Sequence, residues 1–153
     1  LLLRDNVKMH FTASAWVLNP SKDKVLMLYH NIYQSWSWSG GHADGEGDLL
    51  SVAMKEVKEE SGLVSLKPLS DSPISIEILG VQPHYKKQKY VSAHMHLNYT
   101  FLLHNTKEEK LKICPEENSK VGWLSPDEAV RSSTEAWMKP IYEKLNQKMK
   151  EYL

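Results

Sequence analysis

The chain has 153 residues, enough for one domain with a sizeable core, and its 19 basic and 19 acidic side chains cancel. That balance excludes a global field that would recruit a nucleic-acid polymer or an anionic membrane. A single cysteine, Cys114, closes no internal disulfide and points to a reducing, cytoplasmic setting, and no apolar run approaches the roughly 20 residues that span a bilayer. All bases but Arg4 and Arg131 are lysines, so few planar forks are available to clamp phosphates. The chain opens on Leu1 rather than methionine, so a preceding segment is expected.

In chain order, His10 to Leu18 and Val25 to Tyr29 read as strands joined by a turn at Asn19-Pro20-Ser21-Lys22-Asp23. An aromatic and glycine-rich passage follows, from Tyr33 to His42. Asp48 is a suitable N-cap for a helix that runs to Ser61, and Gly62 is a suitable stop. Ile74, Ile76 and Ile78 alternate with Ser75 and Glu77, which predicts a half-buried strand. Val91 to Leu103 predicts the longest strand, with its odd positions packed and its even positions, among them His94, His96 and Asn98, forming a polar face. Val121 to Leu124 is a last short strand, and Ser125-Pro126-Asp127-Glu128 joins a capping box to a proline at the first helical position. Past Pro140, Ile141, Leu145, Met149 and Tyr152 form a helical stripe. Strands mixed with helices at this length predict an α/β (α+β) fold, a mixed sheet with helices on both faces, in one domain over residues 1–153.

The chemistry concentrates in Gly40-Gly41-His42-Ala43-Asp44-Gly45-Glu46 and the helix after it. On a helical wheel Leu49, Leu50, Val52, Ala53 and Val57 form an apolar arc, and Ser51, Lys55 and Lys58 the opposite side. Glu56, Glu59 and Glu60 fall within or beside the apolar arc, so they face the protein or a cleft. Carboxylates on adjacent turns, on the order of 6 Å apart, repel by roughly 3 kcal/mol at an effective dielectric near 20. The few tenths of a kcal/mol from helix propensity or an i,i+4 lysine do not offset this. Either protons or a cation must sit among them, and oxygen donors suit magnesium or manganese.

This segment resembles the Nudix box, G-x5-E-x7-R-E-U-x-E-E-x-G-U with U aliphatic. Lys55 to Leu63 match its second half, with lysine in place of arginine. Counted from Gly40, the five-residue gap to Glu46 is kept and eight residues rather than seven precede Lys55, a one-residue slip in the loop. The resemblance implies a Nudix-like αβα sandwich and magnesium-dependent hydrolysis of a diphosphate linkage in a nucleoside diphosphate joined to another moiety. It implies metal ligation by Glu56, Glu59, Glu60 and the carbonyl of Gly40, whereas the family's salt bridge from the loop glutamate to the box arginine is not expected to carry over, since Lys55 is a point charge rather than a planar fork. The general base stays open among Glu56, Glu60 and a loop glutamate. Glu117, six residues before Trp123, matches the acidic loop position of the family as a further ligand or base. The partner implied is a small nucleotide-type molecule, with homodimerisation left open.

Outside the box, His94, His96 and Asn98 are read as lining the substrate cleft, with zinc ligation by the two histidines or plain exposure as alternatives. His84, Lys86, Lys87 and Lys89 form a basic loop, with Lys87 a candidate for substrate phosphates. Trp36, Trp38, Tyr85 and Tyr90 are candidates for stacking a nucleobase or for plain core. Two rival readings are a non-catalytic Nudix-type sensing or interaction module, against which all three box carboxylates stand, and an isopentenyl-diphosphate isomerase. The isomerase needs a cysteine near its substrate, whereas Cys114 lies in a charged loop.

Overall fold

Apolar residues on both faces make strand β1 (Met9–Leu18) the centre of the molecule, with Ala13, Ala15, Trp16, Val17 and Leu18 excluded from solvent. The computed structural model describes residues 1–153. Strand β2 (Val25–His30) turns back from β1 through a loop organised by Asn19, whose Oδ1 accepts the backbone N–H groups of Asp23 and Lys24, each at 2.9 Å. Short strands β3 (Ser35–Ser37) and β4 (Ser39–His42) pair with β2 and β1. Strands β5 (Leu66–Pro68) and β6 (Ser75–Val81) both pair with β9 (His94–Asn105). Strand β10 (Asn118–Leu124) closes the far side, so the sheet runs β10-β2-β1-β9-β5. Only β1 and β9 are parallel, which makes the sheet mixed.

Helix α1 (Leu49–Ser61) covers one face, laying Val52, Ala53 and Val57 on Ala13, Ala15, Val17, Phe101 and Leu103. Helices α2 (Pro126–Arg131) and α3 (Lys139–Met149) cover the other, where Tyr142 stacks on Trp16 with ring centres 5.3 Å apart. The αβα layering is therefore as expected. The caps hold as well: Asp48 accepts from the Ser51 N–H, and Gly62, at φ 79°, ends α1 in the left-handed region that glycine tolerates. No helix is long and apolar enough to cross a membrane.

Two strands differ from expectation. Val91 does not belong to the long strand, which begins at His94; it ends β8 (Lys89–Val91), which pairs with β7 (His84–Lys86). Lys87 and Gln88, at φ 52° and 64°, make the two-residue turn of this hairpin, so the basic loop is a twisted ribbon with Tyr85 packed on Tyr90. Strand β6 has the predicted period but the opposite faces inward. Ser75 and Glu77 are buried, whereas Ile76 and Ile78 are 58% and 65% exposed. Ile74, which precedes the strand, joins the core.

The reason is what lies over each face. α1 lies over β1 and the later part of β9 and leaves Ile76, Ile78 and Met95 uncovered, while on the other face Lys144 of α3 reaches down to Glu77. Glu77 also accepts from Ser75 and Thr100, and Thr100 accepts from Asn98, whose own Oδ1 accepts from Thr12 at 2.8 Å and Ser14 at 2.9 Å. The interior beneath α3 thus contains a connected polar layer across β1, β9 and β6. Replacing Glu77 with alanine strands Lys144 and Thr100 and is expected to cost about 2–3 kcal/mol. Ile76→Thr should stay within about 0.5 kcal/mol of wild type. Urea unfolding of the two variants checks this, and a larger loss for Ile76→Thr would restore the original face assignment.

Candidate active site

The site is built where β4 passes between β1 and α1. A side chain at Gly40 would meet the Ser14 hydroxyl at 2.6 Å and the Ala13 carbonyl at 2.9 Å. One at Gly41 would meet the Glu56 carboxyl carbon at 2.4 Å. Both glycines are needed for close approach: the first lets β4 press on β1, the second lets the Glu56 carboxylate lie against the strand backbone.

One turn on, Glu60 is buried with an exposure of only 6%. Its Oε1 accepts from the Ser39 hydroxyl at 2.8 Å and the Gly40 N–H at 3.2 Å. Burial drives its pKa up to about 8, against the pull of these two hydrogen bonds. Burial, with Glu59 and Glu117 nearby, pushes Glu56 up to about 7. Neither carboxylate has a salt-bridge partner.

Glu117 joins them from the loop before β10, close enough that its charge raises both pKa values. The loop is pinned in place. The buried Asn118 side chain donates to the Glu60 carbonyl at 3.1 Å and accepts from the Cys114 N–H at 3.3 Å. Asn31 donates its backbone N–H to the Glu117 carbonyl and its side-chain amide to the Pro115 carbonyl, both at 3.1 Å. Neither asparagine was singled out from the sequence, because nothing in an isolated Asn signals that it ties a loop to a helix.

The structure corrects two expectations, for Glu59 and Arg4, and agrees with the reading of Lys55. Glu59 does not turn inward; it is exposed and stands 3.8 Å from Lys55, because the buried side of α1 centres on Ala53 and Glu60 and leaves Glu59 at its rim. Lys55, so engaged, makes no salt bridge to Glu46, whose carboxylate instead accepts the Asp48 N–H at 2.8 Å. Arg4 is no free phosphate clamp. It forks onto Asp44 with two bonds of 2.8 Å, and its charge is felt by Glu56 and Glu117.

The donor set fits a hard divalent cation: the carboxylate oxygens of buried Glu60 and half-buried Glu56, without a positive partner, beside the backbone of Gly40. Among the other candidates, Asn98 is buried and spends its side chain on Thr12, Ser14 and Thr100, so it is a strut of the interior. Lys87 is exposed at the hairpin tip, and the neighbouring Lys86 lies near enough for its charge to lower the pKa of His30 and His42. His94 and His96 meet each other at 3.1 Å and join His10 and His42. Trp38 packs against Tyr142 in the core, and Trp36 sets its edge to Tyr29.

Two outcomes follow from this geometry. Gly41→Ala displaces only the flexible end of Glu56, so turnover should fall at least tenfold with little change in stability. Gly40→Ala meets backbone and should cost about 1–3 kcal/mol by overpacking. Paired melting and rate measurements separate them. In addition, Glu56 and Glu60 have folded pKa values above the ordinary 4.5, so the folded state holds extra protons between about 4.5 and 8. The stability they contribute is full below pH 4.5 and is lost as pH rises through 8. Melting in excess chelator should show this decline, and Glu60→Gln should flatten it. A wild-type curve that rises across that window would contradict the assignment.

The family profile described as the NUDIX domain matches residues 8–145. No curated protein sequence matches. Among solved structures, an Ap4A hydrolase from C. elegans, in a binary complex, aligns with a TM-score of 0.69 at 18% identity, covering 93% of this chain and 98% of its own. A NUDIX-family hydrolase from Clostridium perfringens gives 0.69 at 18% identity, covering 94% and 98%. The dihydroneopterin triphosphate pyrophosphohydrolase of E. coli gives 0.64 at 17%, covering 90% and 97%. At these identities the structural likeness speaks for the fold, and the profile match over most of the chain speaks for kinship. The chain belongs to the Nudix family of hydrolases acting on diphosphate bonds.

Proposed function

We propose that this protein hydrolyses the diphosphate linkage of a nucleoside diphosphate joined to another moiety, using magnesium, with manganese as a substitute. The observation that carries the reading is the pair of carboxylates, Glu60 buried and Glu56 half-buried, packed against the glycine strand with no positive partner. The names of the similar structures, an Ap4A hydrolase and a dihydroneopterin triphosphate pyrophosphohydrolase, support a phosphoanhydride of this class.

Glu56, Glu60 and the Gly40 carbonyl would hold the ion, with Glu59 reaching it from the rim through water. The cation supplies charge neutralisation on the phosphate oxygens when bound. Ser39 and the Gly40 N–H orient one Glu60 oxygen and leave the other free. Glu117, carried on a loop, is placed to take a proton from the attacking water or to serve as a further ligand. Arg4, held by Asp44, tempers the repulsion among the acids. The lysines of the hairpin, Lys86, Lys87 and Lys89, offer charge to the substrate's phosphates. Of the remaining substrate-contact candidates, His94 and His96 are half-buried among other histidines and Asn98 supports the sheet beneath them, so the hydrolysis is assigned to the carboxylates and the lysines alone.

A panel of nucleotide sugars, ADP-ribose, dinucleoside polyphosphates and nucleoside triphosphates tests the function in the presence and absence of magnesium. Glu56→Gln and Glu60→Gln should each lower turnover at least about 100-fold. Glu117→Gln should lower it strongly, and Glu116→Gln should leave it near wild type. Full activity in excess chelator would overturn the metal assignment, and no turnover of any member would favour a ligand-sensing module.

A further inference from the structure

Four of the seven histidines converge at one place that the hydrolytic chemistry does not use. His10 on β1 lies directly across from His96 on β9, and His42 ends β4, which flanks β1. Ring nitrogens of His10, His42 and His96 all fall within 4.8 Å of one another. His94 adjoins this trio, with its Nε2 3.1 Å from that of His96 and its ring centre 5.0 Å from that of His10, and is placed as the fourth ligand.

We propose that these four imidazoles form a transition-metal site for Zn2+, separate from the carboxylate site. Four-coordinate zinc binds imidazole nitrogens at 2.0–2.1 Å, which sets neighbouring nitrogens roughly 3.3 Å apart. The His94–His96 pair already has about that spacing. A triangle with 4.8 Å sides has its corners about 2.8 Å from its centre, so the nitrogens of His10, His42 and His96 lie within about 1 Å of bonding distance.

The ring orientations favour a metal over a closed hydrogen-bond network. His10 Nδ1 faces the Asn6 carbonyl at 3.1 Å, and His94 Nδ1 faces the Ser92 carbonyl at 2.9 Å. A carbonyl only accepts, so both Nδ1 atoms carry the proton and both Nε2 atoms present a lone pair. A backbone carbonyl behind the ring is the usual outer-shell partner of a metal-bound histidine. The Nε2 of His10 is buried and has no hydrogen-bond partner at all. An all-imidazole set without carboxylate selects a borderline metal such as zinc over magnesium.

The site lies back to back with the carboxylates. Adjacent strand residues point to opposite faces, so His42 turns away from the side on which Gly41 receives Glu56. An ion here ties β1, β4 and β9 together beneath the glycine strand, which makes its role structural. Its loss would loosen the strand that supports Glu56 and Glu60.

Zinc titration of the Glu56→Gln/Glu60→Gln double variant, in millimolar magnesium, isolates this site. One equivalent is expected to bind, and X-ray absorption of the one-to-one zinc complex should show a nitrogen shell with imidazole outer-shell scattering. His42→Ala and His94→Ala should each weaken binding at least about 100-fold, while His84→Ala and His104→Ala, outside the cluster, leave it unchanged. The melting temperature of the otherwise wild-type chain should rise with zinc, which guards against a histidine variant that merely misfolds. Absence of zinc binding to the double variant, an oxygen-dominated shell, or binding indifferent to the cluster variants would each overturn the proposal.

Discussion

The arrangement depends on how close α1 comes to the backbone of β4. Carboxylates sit stably inside a protein only when something compensates them, and here the partial compensation is short-range: a hydroxyl and a peptide N–H on one oxygen of Glu60. Glu56 has less, only the bare backbone of Gly41. The residual unfavourable energy is stored as raised proton affinity, which the proposed divalent cation would relieve. The binding energy of that ion would then originate in packing between a glycine strand and a helix, with the acids held poised by the core on either side.

That core divides unevenly. Beneath α1 it is apolar, Ala13, Ala15, Val17, Val52, Ala53 and Val57, and small residues let the helix come close. Beneath α3 it turns from apolar at Trp16, Leu102 and Tyr142 to polar along Ser14, Asn98, Thr100 and Glu77, and then to the histidines at the end of β1. One face of β1 therefore grades from hydrophobic packing through a hydrogen-bonded layer to imidazoles. Such a layer fixes register, since a slip by one residue would bury Phe11 and Ala13 where Thr12 and Ser14 now find partners.

How much was legible in the sequence follows from what each element depends on. Helix α1, its caps and its acidic residues were readable because a helix, its ends and its buried arc are local. Glu59 was misplaced because a wheel shows the angle between residues but not where the covering layer ends. β6 was inverted for the same reason: Ile76 and Ile78 look like core until the reach of α1 and the position of Lys144 are known. His10, His42, His94 and His96 are spread over 87 positions of the chain and converge only through the pairing of β1 with β4 and β9. The apolar residues around His10 gave no hint of a cluster, while the alternation His94-Met95-His96 at least placed two rings on one face.

In the metal-free protein Glu56 and Glu60 hold protons, which the proposed divalent cation would displace. Calorimetric titration of magnesium at pH 7, repeated in buffers of different ionisation enthalpy, counts the protons released. With Glu60 near 8 and Glu56 near 7, about one proton or slightly more should leave per ion bound, falling toward zero above pH 9. Magnesium binding without proton release at pH 7 would contradict the account.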